Sequence, residues 1–65
     1  MLSSRERQVL QLLVEGRPSV AIAQTLFLSP KTVETYRSRI MQKLNIRNIP
    51  ELVKFAIQQG LTSIE

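Results

Sequence analysis

The chain of 65 residues contains no cysteine, histidine, aspartate or tryptophan. Without cysteine it has no disulfide framework and no thiolate metal site, which is typical of proteins in a reducing cytoplasm. Without histidine and aspartate as well, most general bases, nucleophile partners and metal ligands are missing. Its two glycines, Gly16 and Gly60, lie too far apart to form a phosphate-binding loop. The composition therefore predicts a protein that is not an enzyme and holds no cofactor, metal or small-molecule ligand.

Long apolar runs are also missing from the sequence. No run approaches the roughly 20 residues that span a bilayer, and no segment has the pattern of a signal peptide. We therefore expect a cytoplasmic protein with no membrane partner. Nine basic residues against five glutamates give a net charge of +4. This balance favours a polyanionic partner, although many small soluble domains carry a similar charge.

Helix start and stop signals divide the chain into four predicted helices. The first, over about residues 4–15, begins at the capping box Ser3-x-x-Glu6 and ends at Gly16. A short second helix is capped by Ser19. The third covers about residues 30–44, and the fourth runs from the Asn48 cap to about Gln59, with Asn45 and Gly60 as the two stops. No β-alternation is present, so the expected fold is all-α: a compact four-helix domain.

The second and third predicted helices are separated by only about three residues. Helices joined so closely cross at a steep angle, as in a helix-turn-helix unit. Small Ala23 is expected at the crossing, and four apolar side chains are expected to seal the corner around it: Leu26, Phe27, Val33 and Ile40.

The third helix has two different faces. Val33, Ile40 and Leu44 form an apolar stripe at helical spacing, and the opposite face is polar. Residues 30–44 carry +3 of the net charge. The polar face includes Thr35 and Ser38, and threonine and serine form helices less readily than lysine or glutamate, so helix stability alone does not explain them. The major groove of DNA is about 12 Å wide and admits one such helix, so nucleic acid is favoured over a merely solvated face.

Three segments together carry a family resemblance: "LSSRERQVLQLLVEG", "IAQTLFLSPKTVETYRSRIMQKLNIRN" and "ELVKFAIQQGL". From Leu2 to Leu61 the chain resembles the LuxR-type (NarL/FixJ family) helix-turn-helix domain. The resemblance implies sequence-specific binding of double-stranded DNA for transcription regulation, with the third helix in the major groove. It also implies that residues 1–65 are the C-terminal output domain of a longer response regulator of a two-component system or a related sensor protein.

The resemblance further implies which side chains meet DNA. The base-facing positions are Glu34, Thr35, Ser38 and Arg39. The DNA-backbone positions are Lys31, Thr32, Arg37, Gln42, Lys43 and Arg47. Many relatives carry lysine where this chain has Glu34, so this glutamate would accept from cytosine N4 or orient Arg39. Arg37 lies near the apolar stripe and has an internal ion pair as its alternative.

The fourth helix has an apolar arc wider than docking on the core requires. Leu52, Phe55 and Ala56 suffice for docking, and the arc is extended by Ile49, Val53 and Ile57. We expect these three to support a weak homodimer on inverted-repeat DNA, as the family resemblance also implies. The alternative is that Val53 and Ile57 are simply buried.

Three other readings remain open. The promoter-recognition domain of a sigma factor resembles the chain in "SSRERQVLQLL" but has no counterpart of "ELVKFAIQQGL". A protein-interaction module would use the same scaffold without DNA, and RNA polymerase stays open as a further partner. A membrane-surface helix is least favoured, because the basic face has no tryptophan and no free apolar underside.

Overall fold

A computed structural model of the chain describes residues 2–60. Its four helices are α1 (Ser4–Val14), α2 (Ser19–Leu26), α3 (Pro30–Lys43) and α4 (Ile49–Gln58). No strand occurs in the described part of the chain, so the predicted all-α class is confirmed. Residue 1 and residues 61–65, which the predicted domain includes, lie outside the described residues.

The helix starts follow the local capping signals. At α1 the Ser3 hydroxyl accepts from the N–H of Glu6, and the Glu6 carboxylate accepts from the N–H of Ser3 at 2.8 Å. At α4 the Asn48 side chain accepts from the N–H of Glu51 at 2.9 Å. These contacts satisfy backbone donors that have no partner in the first helical turn. The predicted capping roles of Ser3, Glu6 and Asn48 are confirmed.

Each of the four helices ends next to a residue in the left-handed conformation, and three of these residues are the predicted stops. Gly16 has φ +87°, Asn45 has φ +56° and Gly60 has φ +69°. Glycine adopts this conformation without strain, and asparagine is among the few other residues that visit it routinely. The three predicted stops are therefore confirmed.

Ser19 does not cap α2, contrary to the expectation from sequence. Pro18 occupies the cap position with extended backbone, and Ser19 is the first helical residue. The Ser19 hydroxyl instead donates to the carboxylate of Glu34 on α3. The Ser19 hydroxyl was predicted to bond the backbone of α2, but it bonds the charged carboxylate on the neighbouring α3 instead.

Phe27 does not seal the corner between α2 and α3, contrary to the expectation from sequence. It lies at the C-terminal cap of α2 with φ 58° and ψ 44°, and its side chain is 95% exposed. The short connection needs a left-handed residue, and with no glycine present Phe27 takes this conformation and points outward. Leu28 is half-buried against the core instead, and its N–H donates to the carbonyl of Ala23 at 2.8 Å.

The core is a single cluster with α1 in contact with all three other helices. α2 also packs directly on α3, as expected of a helix-turn-helix. Each helix contributes two buried apolar residues: Val9 and Leu10, Ile22 and Ala23, Val33 and Ile40, and Leu52 and Ala56. α3 is therefore fixed from behind by both α1 and α2, and its other side is left open.

Candidate nucleic-acid interface

The outer face of α3 lies opposite its buried stripe. Val33 and Ile40 are 0% exposed, whereas Lys31, Thr35 and Ser38 are exposed. The exposed positions follow helical spacing, and Gln42 continues them by one more turn. The face is therefore a polar surface about three turns long on a helix whose position is set by the core.

The N-terminus of α3 is an exposed, well-capped helix start. The Ser29 hydroxyl accepts from the N–H of Thr32 at 3.1 Å and lies 2.9 Å from the Thr32 hydroxyl. Pro30 follows the cap and fixes the first turn. A helix N-terminus favours anions because its free N–H groups and its dipole point outward. Next to Lys31, this end of α3 is suited to a phosphate group.

Lys31 and Arg39 are the cations of α3 that have no carboxylate partner within residues 2–60. Both are exposed, Lys31 in the first turn and Arg39 beside Ser38 on the outer face. An unpaired cation loses no internal ion pair when it binds a phosphate or a base edge. The electrostatic attraction of this face for a polyanion therefore comes mainly from these two side chains.

Glu34 and Arg37 form a different arrangement on the flank of α3 beside α2. The Glu34 carboxylate accepts from the Ser19 hydroxyl and pairs with Arg37, with 2.9 Å between Nη2 and Oε1. Glu34 thus orients Arg37 and not Arg39. A cytosine N4–H would share the carboxylate with these two partners, because its two oxygens can accept further hydrogen bonds. The base-facing role of Glu34 and the DNA-backbone role of Arg37 stay predictions.

Lys43, at the last turn of α3, is bound to the start of α1. Its ammonium lies 2.9 Å from the carboxylate of Glu6, which is only 4% exposed. The pKa of Glu6 lies below its ordinary value of 4.5, chiefly because the N–H of Ser3 donates to the carboxylate and then because of the Lys43 ammonium. Lys43 therefore links α3 to α1, so its predicted contact with a DNA phosphate would compete with this ion pair.

The hydroxyl of Thr35 is engaged within the helix. Its Oγ1 donates to the carbonyl of Lys31 at 3.1 Å, one turn earlier. Outside the helix, Arg47 is exposed in the connection to α4, where its N–H donates to the Glu51 carboxylate at 3.2 Å.

The predicted dimer residues on α4 differ in exposure. Ile49 packs partly against the core, Val53 is half-buried, and Ile57 is 40% exposed. The open apolar surface of α4 is therefore concentrated at Val53 and Ile57, and it is smaller than the sequence pattern indicates. Within residues 2–60 no helix is both long and apolar enough to cross a membrane.

The short connection between α2 and α3, the packing behind α3 and its exposed cationic face together define a helix-turn-helix DNA-binding domain. The model of the family GerE, described as bacterial regulatory proteins of the luxR family, matches residues 1–56. The chain therefore belongs to the luxR family of bacterial regulatory proteins, and the predicted family membership and its role in DNA binding for transcription regulation are confirmed.

Two relatives illustrate this similarity. The transcriptional regulatory protein FixJ of Azorhizobium caulinodans is 48% identical over 60 residues, which are 92% of this chain and 28% of that protein. The oxygen regulatory protein NreC of Staphylococcus carnosus is 46% identical over 61 residues, which are 94% of this chain and 28% of that protein. The chain thus spans less than a third of the length of these relatives, whose names describe regulators and not enzymes.

One part of a solved structure, VqmA bound to DPO, is similar in fold to this chain, with a TM-score of 0.87 and 33% sequence identity. The match covers 98% of this chain and 32% of that one.

Two features of the site have no signal in the sequence. Ser19 and Glu34 are 15 positions apart, and Glu6 and Lys43 are 37 apart, so each pair meets only through helix packing. Serine and lysine are also common surface residues. Neither spacing nor composition therefore marks these side chains as partners.

Proposed function

We propose that this domain binds double-stranded DNA by placing α3 in the major groove, as the output domain of a longer transcription regulator. The observation that carries the proposal is the pair of exposed cations, Lys31 and Arg39, on a helix face directed away from the core. The packing of α1 and α2 behind α3 supports it, because a helix held in this way keeps its orientation when it enters a groove. Such a regulator works where bacterial DNA lies, so we propose a cytoplasmic location.

The proposed DNA contacts fall into two groups: contacts to phosphates, which position the domain on the duplex, and contacts to base edges, which recognise the sequence. Lys31 and Thr32, at the capped start of α3, are proposed to bind phosphate, together with Gln42 and Arg47 farther along the chain. Thr35, Ser38 and Arg39 are proposed to reach base edges, since they are exposed and lie within the first three turns, the part of a recognition helix that contacts bases. Arginine reads guanine through its O6 and N7 atoms.

Binding of two variants to matched duplexes tests the proposal. A duplex selected from a randomised pool serves as the specific site, and a scrambled duplex of equal length serves as the non-specific one. Arg39→Ala is expected to cost about 1–3 kcal/mol on the selected duplex and to relax the preference at one base position. Lys31→Ala is expected to weaken binding to both duplexes alike. It should also reduce the salt slope, the slope of log K against log salt concentration, by about one.

Lys54→Ala is the matched control, because Lys54 is an exposed cation on α4. It should leave affinity and salt slope close to those of the unaltered chain. Equal losses from Lys31→Ala and Lys54→Ala would show that net charge, and not α3, governs binding. A protein-interaction module is distinguished in the same titration, since each neutralised phosphate gives a slope of about −0.9 in log K against log salt and a protein partner gives far less.

Pairing of two domains through α4 is the second part of the proposal. The apolar surface formed by half-buried Val53 and exposed Ile57 supports it. Two side chains bury much less than a permanent dimer needs, so association should be weak in solution and stronger on two adjacent half-sites. RNA polymerase stays a further proposed partner of the bound regulator.

A further inference from the structure

Thr35 lies near the middle of the exposed face of α3, and its polar group is turned away from that face. Its hydroxyl donates to the Lys31 carbonyl one turn earlier, at 3.1 Å. Threonine side chains in helices make this bond often, and it fixes the first side-chain torsion. The one hydrogen that this hydroxyl can donate is thus already bound by the helix's own backbone.

The β-carbon of threonine carries a hydroxyl and a methyl group. Because the hydroxyl donates to the backbone, it has no hydrogen to donate to a base, and the methyl is the apolar group that the side chain can present to a partner. Thr35 is exposed, so this methyl presents apolar surface between the polar neighbours Lys31 and Ser38.

The major groove displays one apolar group among its hydrogen-bonding edges, the C5-methyl of thymine. Apolar side-chain atoms, including the threonine methyl, recognise it by contact. We infer that Thr35 is a specificity-determining residue that selects a thymine by methyl–methyl contact, without a hydrogen bond from its hydroxyl to a base. This inference rests on the proposed docking of α3 in the major groove.

Deoxyuridine gives a direct test, because it pairs as thymine does and lacks only the C5-methyl. Each thymine of the duplex selected by the unaltered chain is replaced in turn by deoxyuridine, and affinities are compared at one salt concentration. Loss of the contact with one methyl should lower affinity about fourfold at one thymine in each half-site.

Three variants assign that loss to Thr35. Thr35→Ser keeps the hydroxyl and removes the methyl, so it should bind the thymine and deoxyuridine duplexes equally. Thr35→Val keeps a methyl and removes the hydroxyl, so it should retain the fourfold difference. Thr25→Ser is the matched control, because Thr25 makes the same backbone bond on α2, to Ala21 at 3.0 Å, and should retain the difference too. Circular dichroism checks that each variant is folded.

Two results would overturn the inference. In the first, no thymine responds to deoxyuridine in the unaltered chain. In the second, Thr35→Val loses the selected site while Thr35→Ser keeps it with full sensitivity to deoxyuridine, which would assign the reading to the hydroxyl. If Arg39→Ala and Lys31→Ala still weaken binding in either case, α3 docking stands and only the role of Thr35 fails. If those two variants bind normally, the proposed function itself fails.

Discussion

Replacing Ile40 by alanine tests the division of α3 into a core face and a DNA face, because its sequence neighbour Arg39 lies on the other face. Ile40 is 0% exposed in the core cluster, and Arg39 is exposed. The two changes should therefore have separable effects. Ile40→Ala should reduce stability, and Arg39→Ala should reduce DNA affinity.

The size of the stability loss follows from complete burial. A fully buried isoleucine replaced by alanine loses its transfer free energy and leaves a cavity, at a cost of about 2–5 kcal/mol. A domain of 65 residues has an unfolding free energy on the order of 3–10 kcal/mol. At about 4–8 °C per kcal/mol for a domain of this size, a loss of about 3 kcal/mol lowers Tm by about 12–24 °C.

Thermal unfolding followed by circular dichroism at 222 nm provides the assay, and DNA titration well below Tm provides the second readout. Ile40→Ala should show the large decrease in Tm and close to normal affinity while it is folded. Arg39→Ala should keep its Tm within a few degrees and lose specific affinity. A shift of Tm below about 4 °C for Ile40→Ala, or a large one for Arg39→Ala, would refute the assignment of the two faces.

Three further predictions concern other parts of the fold. The lowered pKa of Glu6 means that its charged carboxylate stabilises the folded state. This contribution to stability should be complete above about pH 4.5 and should be lost as the pH falls through the lower folded-state pKa. When Tm is measured at decreasing pH, Glu6→Gln should therefore lose less Tm than the unaltered chain. Phe27→Gly should raise the unfolding free energy, measured by urea denaturation, by up to about 1 kcal/mol. Glycine adopts the left-handed conformation of residue 27 without strain, and Phe27 is 95% exposed, so little packing is lost. A clear decrease in the unfolding free energy would mean that the phenyl ring makes stabilising contacts. Val53→Glu combined with Ile57→Glu should give a folded protein that binds one half-site and loses cooperative binding to two; unfolding of this variant would show that both residues belong to the core, and unchanged cooperativity would place the dimer elsewhere.

The features that could be predicted from the sequence are those set by neighbouring residues. The capping box of Ser3 and Glu6, the Asn48 cap and the left-handed stop at Asn45 each depend on a few adjacent positions. The buried stripe of α3 follows from helical periodicity, as Val33 shows. For the same reason the division of α3 into two faces could be predicted without coordinates.

The features that escaped prediction depend on how the helices pack or how the chain turns. The contact of Ser19 with Glu34 requires the crossing of α2 over α3, and that of Lys43 with Glu6 requires α3 to lie against α1. Phe27 looked like a core residue by its apolarity, but the backbone conformation of the turn decides where its side chain points. Such contacts between distant positions are also what determine which charges of α3 remain free for DNA.

Disulfide trapping tests most directly whether α3 lies in the major groove. The chain has no cysteine, so Ser38→Cys introduces a single thiol on the outer face of α3, and Gln58→Cys introduces one on α4 as the control. The selected duplex carries a thiol tether either on cytosine N4, in the major groove, or on guanine N2, in the minor groove. We predict rapid trapping of Ser38→Cys by the N4 tether, and slow trapping of it by the N2 tether and of Gln58→Cys by either tether. Preferential trapping of Ser38→Cys by the N2 tether, or faster trapping of Gln58→Cys, would contradict the placement of α3 in the major groove.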